Sequence, residues 1–317
     1  MSAPIGGLHH VTAIAGDAQR NFDFYAGQLG LRLVKKTVNF DDPGTYHLYY
    51  GDGMGNPGTL LTFFPWKNAP RGRKGSGETE ATALSVPAGS LEFWRNRLEP
   101  FLTSKETKER FGSPVLSFAD PDGLALEIVE TSESDDARTG WTGSDIPREF
   151  AVRGLYGVTI AVRDPEPTAR VLTGLLGFEE IGAEGERRRF VTQPGAPGAV
   201  IDLIARPDAP AAQTLVGSVH HIAYRLENEA AQIAWRDKLH DAGLGVTDVR
   251  EREYFRSIYF HEPGRVLFEL ATDAPGFATD ETPDALGTAL KLPPWLETRR
   301  ASIAGMLPAL ETTGERN

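Results

Sequence analysis

The sequence predicts an α+β fold built from four tandem βαβββ units, paired into two domains. Three observations carry this. Gly7-Leu8-His9-His10-Val11-Thr12 matches Gly154-Leu155-Tyr156-Gly157-Val158-Thr159 at Gly, Leu, Val and Thr, and the same offset of 147 carries Gly27, Leu29 and Gly30 onto Gly174, Leu176 and Gly177. Trp94-Arg95 and Leu98 match Trp235-Arg236 and Leu239 at an offset of 141, and Phe118, Pro121 and Glu127 match Phe260, Pro263 and Glu269 at 142. Such internal periods mark repeated supersecondary units. Finally, each repeat follows one plan of strand, helix and further strands, with units starting near residues 8, 79, 155 and 219.

The elements follow in order. Short apolar strands open the units at His10–Ala15, Ala81–Val86, Val158–Val162 and His221–Leu226. A helix over Ala18–Gln28 places Phe22, Tyr25 and Leu29 at helical spacing, with Gly30 at the expected stop. Ala230–Ala242 reads the same way, with Ile233, Leu239 and a closing Gly243. Tyr46–Tyr50 and Thr59–Phe64 finish the first unit, and Ser257–Phe260 and Arg265–Leu270 the fourth. Tight turns precede the last strands at Asp120-Pro121-Asp122-Gly123 and Glu262-Pro263-Gly264. The division is an N-terminal domain 1–130, an acidic linker 131–150, a C-terminal domain 151–272 and an extension 273–317. The extension carries Leu292-Pro293-Pro294-Trp295-Leu296 and a helix through Arg299–Leu307. The basic, Gly-rich stretch Lys67–Glu78 reads as a solvated loop or as a mobile flap near a site.

Composition narrows the function. The 317 residues hold no cysteine, which excludes a disulfide scaffold, an iron–sulfur protein, a zinc ribbon and a cysteine nucleophile. A net charge of -11 argues against a nucleic-acid partner. No apolar run is long enough to span a bilayer, and the N-terminus has no signal-peptide pattern, so the cytoplasm is the expected location and no membrane partner is expected. Association into a homo-oligomer is left open.

Four of the seven histidines form two dipeptides, His9-His10 and His220-His221, each opening a unit. Strand neighbours point to opposite faces. With Val11 and Ala13, and Ile222 and Tyr224, facing the helices, His10 and His221 enter the concave face. Glu269 lies in the otherwise apolar strand Val266–Leu270, where a carboxylate needs a partner. Two imidazoles and one carboxylate leave coordination positions open and suit non-haem Fe(II). Glu127 holds the repeat position of Glu269 and is either a relic or a structural acid. His47, His240 and His261 read as structural or solvent-exposed. Tyr259, one hairpin from Glu269, either packs or bonds an oxygen at the metal; Arg252 is surface charge or holds an anionic oxygen.

With these residues in view, the chain resembles the vicinal oxygen chelate superfamily, whose members share paired βαβββ units. Within it the resemblance is to ring-cleaving dioxygenases acting on hydroquinones and chlorinated hydroquinones. It rests on Gly7–Thr12, on Leu31–Tyr50 with its Asp41-Asp42-Pro43-Gly44-Thr45-Tyr46-His47-Leu48-Tyr49-Tyr50 run, and on Pro57–Trp66. Ser218–Ala223, Arg256–Phe260 and the Leu-Pro-Pro-Trp-Leu-Glu tail extend it along the chain. The resemblance implies Fe(II) on His10, His221 and Glu269, ligands that also bind Mn(II), with a small aromatic substrate and O₂. It implies acid–base roles for His9 and Tyr259, and for Arg252 the stabilisation of charge on the second substrate oxygen. A catechol extradiol dioxygenase, a glyoxalase-like isomerase and a non-catalytic quinone-binding protein are the alternatives. One departure has a structural consequence. The third unit has Tyr156-Gly157 where a histidine would stand, so unit one must supply that ligand and face unit four.

Overall fold

The computed structural model describes residues 3–192 and 198–312; residues 1–2, 193–197 and 313–317, which fall in the expected N-terminal domain, C-terminal domain and extension, lie outside it. Unit one comprises β1 (Leu8–Ala15), α1 (Ala18–Phe22), β2 (Arg32–Asn39), β3 (Asp42–Gly51) and β4 (Leu60–Pro65). Unit two comprises β5 (Glu78–Pro87), α2 (Leu91–Arg97), β6 (Lys108–Arg110), β7 (Ser113–Ala119) and β8 (Ala125–Thr131). Unit three comprises β9 (Gly154–Val162), α3 (Pro165–Arg170), β10 (Glu179–Glu184), β11 (Arg187–Val191) and β12 (Val200–Ala205). Unit four comprises β13 (Ser218–Leu226), α4 (Glu229–Asp241), β14 (Arg250–Glu251), β15 (Arg256–His261) and β16 (Leu267–Thr272). The extension adds α5 (Pro294–Glu297) and α6 (Arg300–Met306). None of these helices is long and apolar enough to cross a membrane.

Local chemistry explains the helices. Asp17, Asp164 and Asn228 cap α1, α3 and α4 by accepting backbone N–H bonds. Both α1 and α3 run on into a π-helical turn, over Asp23–Gln28 and Val171–Leu175, so the repeat extends to this irregularity. Gly30 then takes a φ of +65°, and a Cβ there would meet Ile146 Cδ1 at 2.5 Å, so the stop requires glycine. On α4 the buried stripe is Ala231, Trp235 and Leu239, while Ile233 turns outward, contrary to the expected inward placement.

The strands form two eight-stranded sheets, ordered β14-β15-β16-β13-β1-β4-β3-β2 and β10-β11-β12-β9-β5-β8-β7-β6. Units one and four therefore share one curled sheet, as the missing histidine of unit three requires, and units two and three share the other. Thr131–Glu149, expected as a linker between domains, joins β8 to β9 inside one sheet. The chain passes between sheets instead at 66–77 and 206–217. These crossovers pair with each other through bridges Arg71–Val216, Arg73–Gln213 and Ser76–Ala211. The basic stretch is thus a paired strap and not a flap. Aliphatic faces of both sheets and the helices merge in one core that includes Val11, Ala13, Phe22, Tyr25, Ile222, Tyr224 and Trp235.

The extension closes over β2. Lys35, fully buried, bonds Asp280 at 2.6 Å and Glu281, and stacks over the Tyr254 ring. Val38, Leu292, Leu296 and Ile303 form an apolar cluster beside it. Lys35→Met is expected to leave two poorly solvated carboxylates without their cation and to cost about 3 kcal/mol of stability. Denaturant unfolding would read the loss; a change below about 1 kcal/mol would assign the anchoring to the apolar cluster alone.

Candidate metal centre

Strand alternation alone would turn His9 away from His10 and His220 away from His221. The structure inserts a β-bulge at each dipeptide. The β1–β13 register slips between Leu8 and His10, and again between Thr12 and Ala13 where His221 and Val219 oppose them. A bulge re-aims side chains. Here it brings the rings of each dipeptide together, His9 Nδ1 at 2.9 Å from His10 Nδ1 and His220 Nδ1 at 2.8 Å from His221 Nδ1. That leaves both Nε2 atoms to converge, 3.2 Å apart. Glu269 pairs with Ala223 across the β13–β16 ladder and adds its carboxylate. Its Oε2 lies 2.9 Å from His221 Nε2 and 3.4 Å from His10 Nε2. The Ser257 hydroxyl donates to the other oxygen, Oε1.

The three residues fit a divalent ion. Their ligand atoms lie within 4.8 Å of one another and all three side chains are buried. Although close to both imidazoles, Oε2 has no hydrogen bond of proper geometry, so a buried carboxylate oxygen is left without a donor. Two imidazole nitrogens and that oxygen converge on one point, a donor set that borderline transition metals prefer. Burial opposes charge on Glu269, yet His10 and His221 hold its carboxyl well below the usual range. Burial pushes the His221 imidazole down, toward the neutral form a ligand needs.

A cavity of about 350 Å³ opens over this centre. On one side Tyr259 faces Glu269 across the β15–β16 ladder. Arg252 Nε donates to the Tyr259 hydroxyl at 3.2 Å, and its Nη2 meets Asp41 of the β2–β3 turn at 3.0 Å. Burial, reinforced by Glu269, raises the Tyr259 pKa, so the phenol keeps its proton. His9 is placed differently. It sits behind His10 against Phe255, is bonded to the Thr272 backbone, and is not among the cavity-lining residues. Its twin His220 lines the cavity instead, and burial together with His221 pushes its pKa down to about 3. The internal repeat offered that signal, since His220 occupies the position of His9.

His47, read as structural or solvent-exposed, is held by Thr62 and Tyr49. It lines the cavity, and burial holds it neutral. His240 is exposed, and so is His261. Of the aromatic residues, Tyr49, Trp66 and Phe255 line the cavity with Phe40 and Phe64, while Tyr46, Phe63 and Phe268 pack in the core behind it.

The second sheet carries the same two bulges, at Glu80 and Tyr156. By register, Gly157, Ala81 and Glu127 stand where the first sheet has His10, His221 and Glu269. A Cβ at Gly157 would fall 2.6 Å from the Val200 carbonyl oxygen. Arg110 grips Glu127 through two bonds of 2.6 and 2.8 Å, and Arg189 grips Asp202 beside it. Only about 10 Å³ remains open. Glu127 is thus the structural acid of the two alternatives.

The chain is similar to known proteins along nearly its whole length. A sequence model described as the Glyoxalase/Bleomycin resistance protein/Dioxygenase superfamily matches residues 7–128 and 154–270. MhqO of Bacillus subtilis (strain 168), provisionally assigned as a ring-cleaving dioxygenase, is 48% identical over 303 residues, 95% of this chain and 96% of that protein. The chlorohydroquinone/hydroquinone 1,2-dioxygenase of Sphingobium indicum is 37% identical over 302 residues, 92% of this chain and 93% of that one. A crystal structure of a provisionally assigned dioxygenase from Bacillus subtilis superposes with a TM-score of 0.91 at 45% identity, covering 98% of this chain and 99% of the other. A shared fold, repeat and near-complete overlap at these identities place the chain in the glyoxalase/bleomycin resistance protein/dioxygenase superfamily and, within it, among the ring-cleaving dioxygenases.

Proposed function

We propose that the protein is an Fe(II)-dependent dioxygenase that opens the ring of hydroquinone-type substrates with O₂, Mn(II) being the alternative metal. The convergence of His10 Nε2, His221 Nε2 and Glu269 Oε2 beneath an aromatic-walled cavity carries this reading. Bound Fe(II) supplies open coordination positions for substrate and O₂ together, and a path for electrons between them. The similarity to a hydroquinone dioxygenase supports the substrate class.

The chain's own groups prepare that chemistry. A histidine that offers Nε2 to a metal carries its proton on Nδ1. His10 and His221 therefore donate from Nδ1 to His9 and His220, which fix ring orientation and tautomer. His9 acts as a positioning residue behind His10. His220 accepts at Nδ1, so its remaining proton sits on Nε2. Tyr259 holds a proton on its hydroxyl beside the centre, and Arg252 orients that hydroxyl and offers positive charge to an anionic substrate oxygen.

A hydroquinone has its hydroxyls para, so only one oxygen reaches the metal and the other must be held by the cavity. Protein purified without oxygen is expected to contain iron and to take up one O₂ per hydroquinone, alkyl- or chloro-hydroquinone consumed. Catechol should give the lower kcat/KM. A steady-state comparison favouring catechol would overturn the substrate class, and a metal-loaded protein inert toward O₂ with every diol would overturn the activity.

A further inference from the structure

We propose that the Tyr49 hydroxyl, held in place by His47, is the hydrogen-bond partner of the substrate oxygen that does not reach the metal centre. This rests on the para-dihydroxylated substrate proposed above and adds a recognition residue to it. Both residues lie on β3, two positions apart, so their side chains share the concave face. Four groups form one hydrogen-bonded chain there. The Tyr49 hydroxyl meets His47 Nδ1 at 2.8 Å, His47 Nε2 meets Thr62 Oγ1 at 2.9 Å, and Thr62 Oγ1 meets Thr12 Oγ1 at 2.7 Å. Thr12 stands opposite His221 in the β1–β13 register, so the chain runs from beside the metal ligands to the cavity wall.

Both nitrogens of His47 are committed within this chain. Its ring is also packed between Tyr49, with centroids 4.0 Å apart, and Phe64, at 4.3 Å. His47 is therefore fixed and has no polar atom left for a ligand; it is a positioning residue. Tyr49 differs. A phenolic oxygen carries one hydrogen and two lone pairs, and the bond to His47 uses only one of these capacities. The remainder can serve a ligand oxygen in the cavity that Tyr49 lines.

Placement suits the far end of a ring. The sheet order puts β3 on one side of β1 and β13, and the Arg252–Tyr259 pair on the other. The sheet curls until the Tyr49 ring lies 6.4 Å from Tyr254 and 6.5 Å from Phe255. Tyr49 thus reaches across the cavity toward the opposite wall, and Arg252 and Tyr259 are near enough to bias its proton affinity. Arg252 places Nε on Tyr259 and Nη2 on Asp41, and its positive charge suits an anionic oxygen rather than a neutral hydroxyl. A neutral hydroxyl seeking a neutral partner is met by Tyr49.

Anaerobic equilibrium binding of hydroquinone and phenol to the iron-loaded protein tests this, because phenol lacks only the second oxygen. The wild type is expected to prefer hydroquinone. Tyr49→Phe should weaken hydroquinone binding about 5- to 10-fold, the worth of one neutral hydrogen bond, with phenol affinity and iron content unchanged. His47→Leu should lose the same preference, and His47→Gln, which can still bond Tyr49, should recover part of it. A preference retained in full by Tyr49→Phe, or lost in Arg252→Lys while Tyr49→Phe keeps it, would overturn the assignment and leave the substrate class standing. Equal wild-type affinity for both ligands would overturn this assignment, while the turnover comparison with catechol decides the substrate class separately.

Discussion

Alanine at His10, His221 or Glu269 is expected to abolish tight metal binding, and alanine at Glu127 is not. Each of the first three supplies one of the three atoms that converge within 4.8 Å, and no other carboxylate or imidazole joins that group among the described residues. Loss of a supporting residue alone typically costs 10- to 100-fold in affinity, so loss of a ligand should exceed about 10²-fold. Glu127→Ala should keep the metal and instead lose about 1–3 kcal/mol of stability, because Arg110 is left largely buried without its partner. Metal content after loading with Fe(II) under nitrogen, together with chemical unfolding, separates the outcomes. Metal lost from Glu127→Ala and kept by Glu269→Ala would invert the assignment of the two sheets.

Tyr259→Phe is the second large effect. The substitution keeps the ring against His221, whose centroid is 5.7 Å away, and removes only the hydroxyl that Arg252 orients. Iron should remain bound while turnover at saturating hydroquinone falls roughly 10²- to 10⁴-fold, as for a lost general acid or base. Burial raises the Tyr259 pKa, so the hydroxyl keeps its proton through neutral pH and is expected to act first as a donor. Oxygen uptake by the variant at the wild-type rate would reduce Tyr259 to a packing residue.

Much of this was legible in the sequence, for local reasons. The repeat offsets located the units, because strand alternation, helix caps and stop glycines act over a few residues. The facing of Val11, Ala13, Ile222 and Tyr224 into the core, and of His10 and His221 into the concavity, came from period-2 alternation. The union of units one and four was also readable, because the histidine absent at Gly157 had to come from elsewhere.

Other features depended on contacts distant in the chain. The bulges at His9 and His220 arise only when β1 pairs with β13, and they override the alternation that would have separated each histidine pair. The resemblance gave His9 an acid–base role, whereas His220 joins His10 and His221 at the cavity and His9 is buried behind His10. His47 gained its place only when β3 and β4 set it against Thr62 and Tyr49. The acidic stretch 131–150 had the composition of a linker, yet the crossovers between sheets lie elsewhere, because strand pairing follows the geometry of the whole sheet and not the polarity of the connecting chain. Sequence alone determined the repeated unit and singled out His10, His221 and Glu269 as candidate ligands, since these rest on local periodicity and on residue chemistry. Tertiary structure alone decided the aim of each ring and the identity of the cavity walls, since those are set by register and curvature between strands that are far apart in the chain.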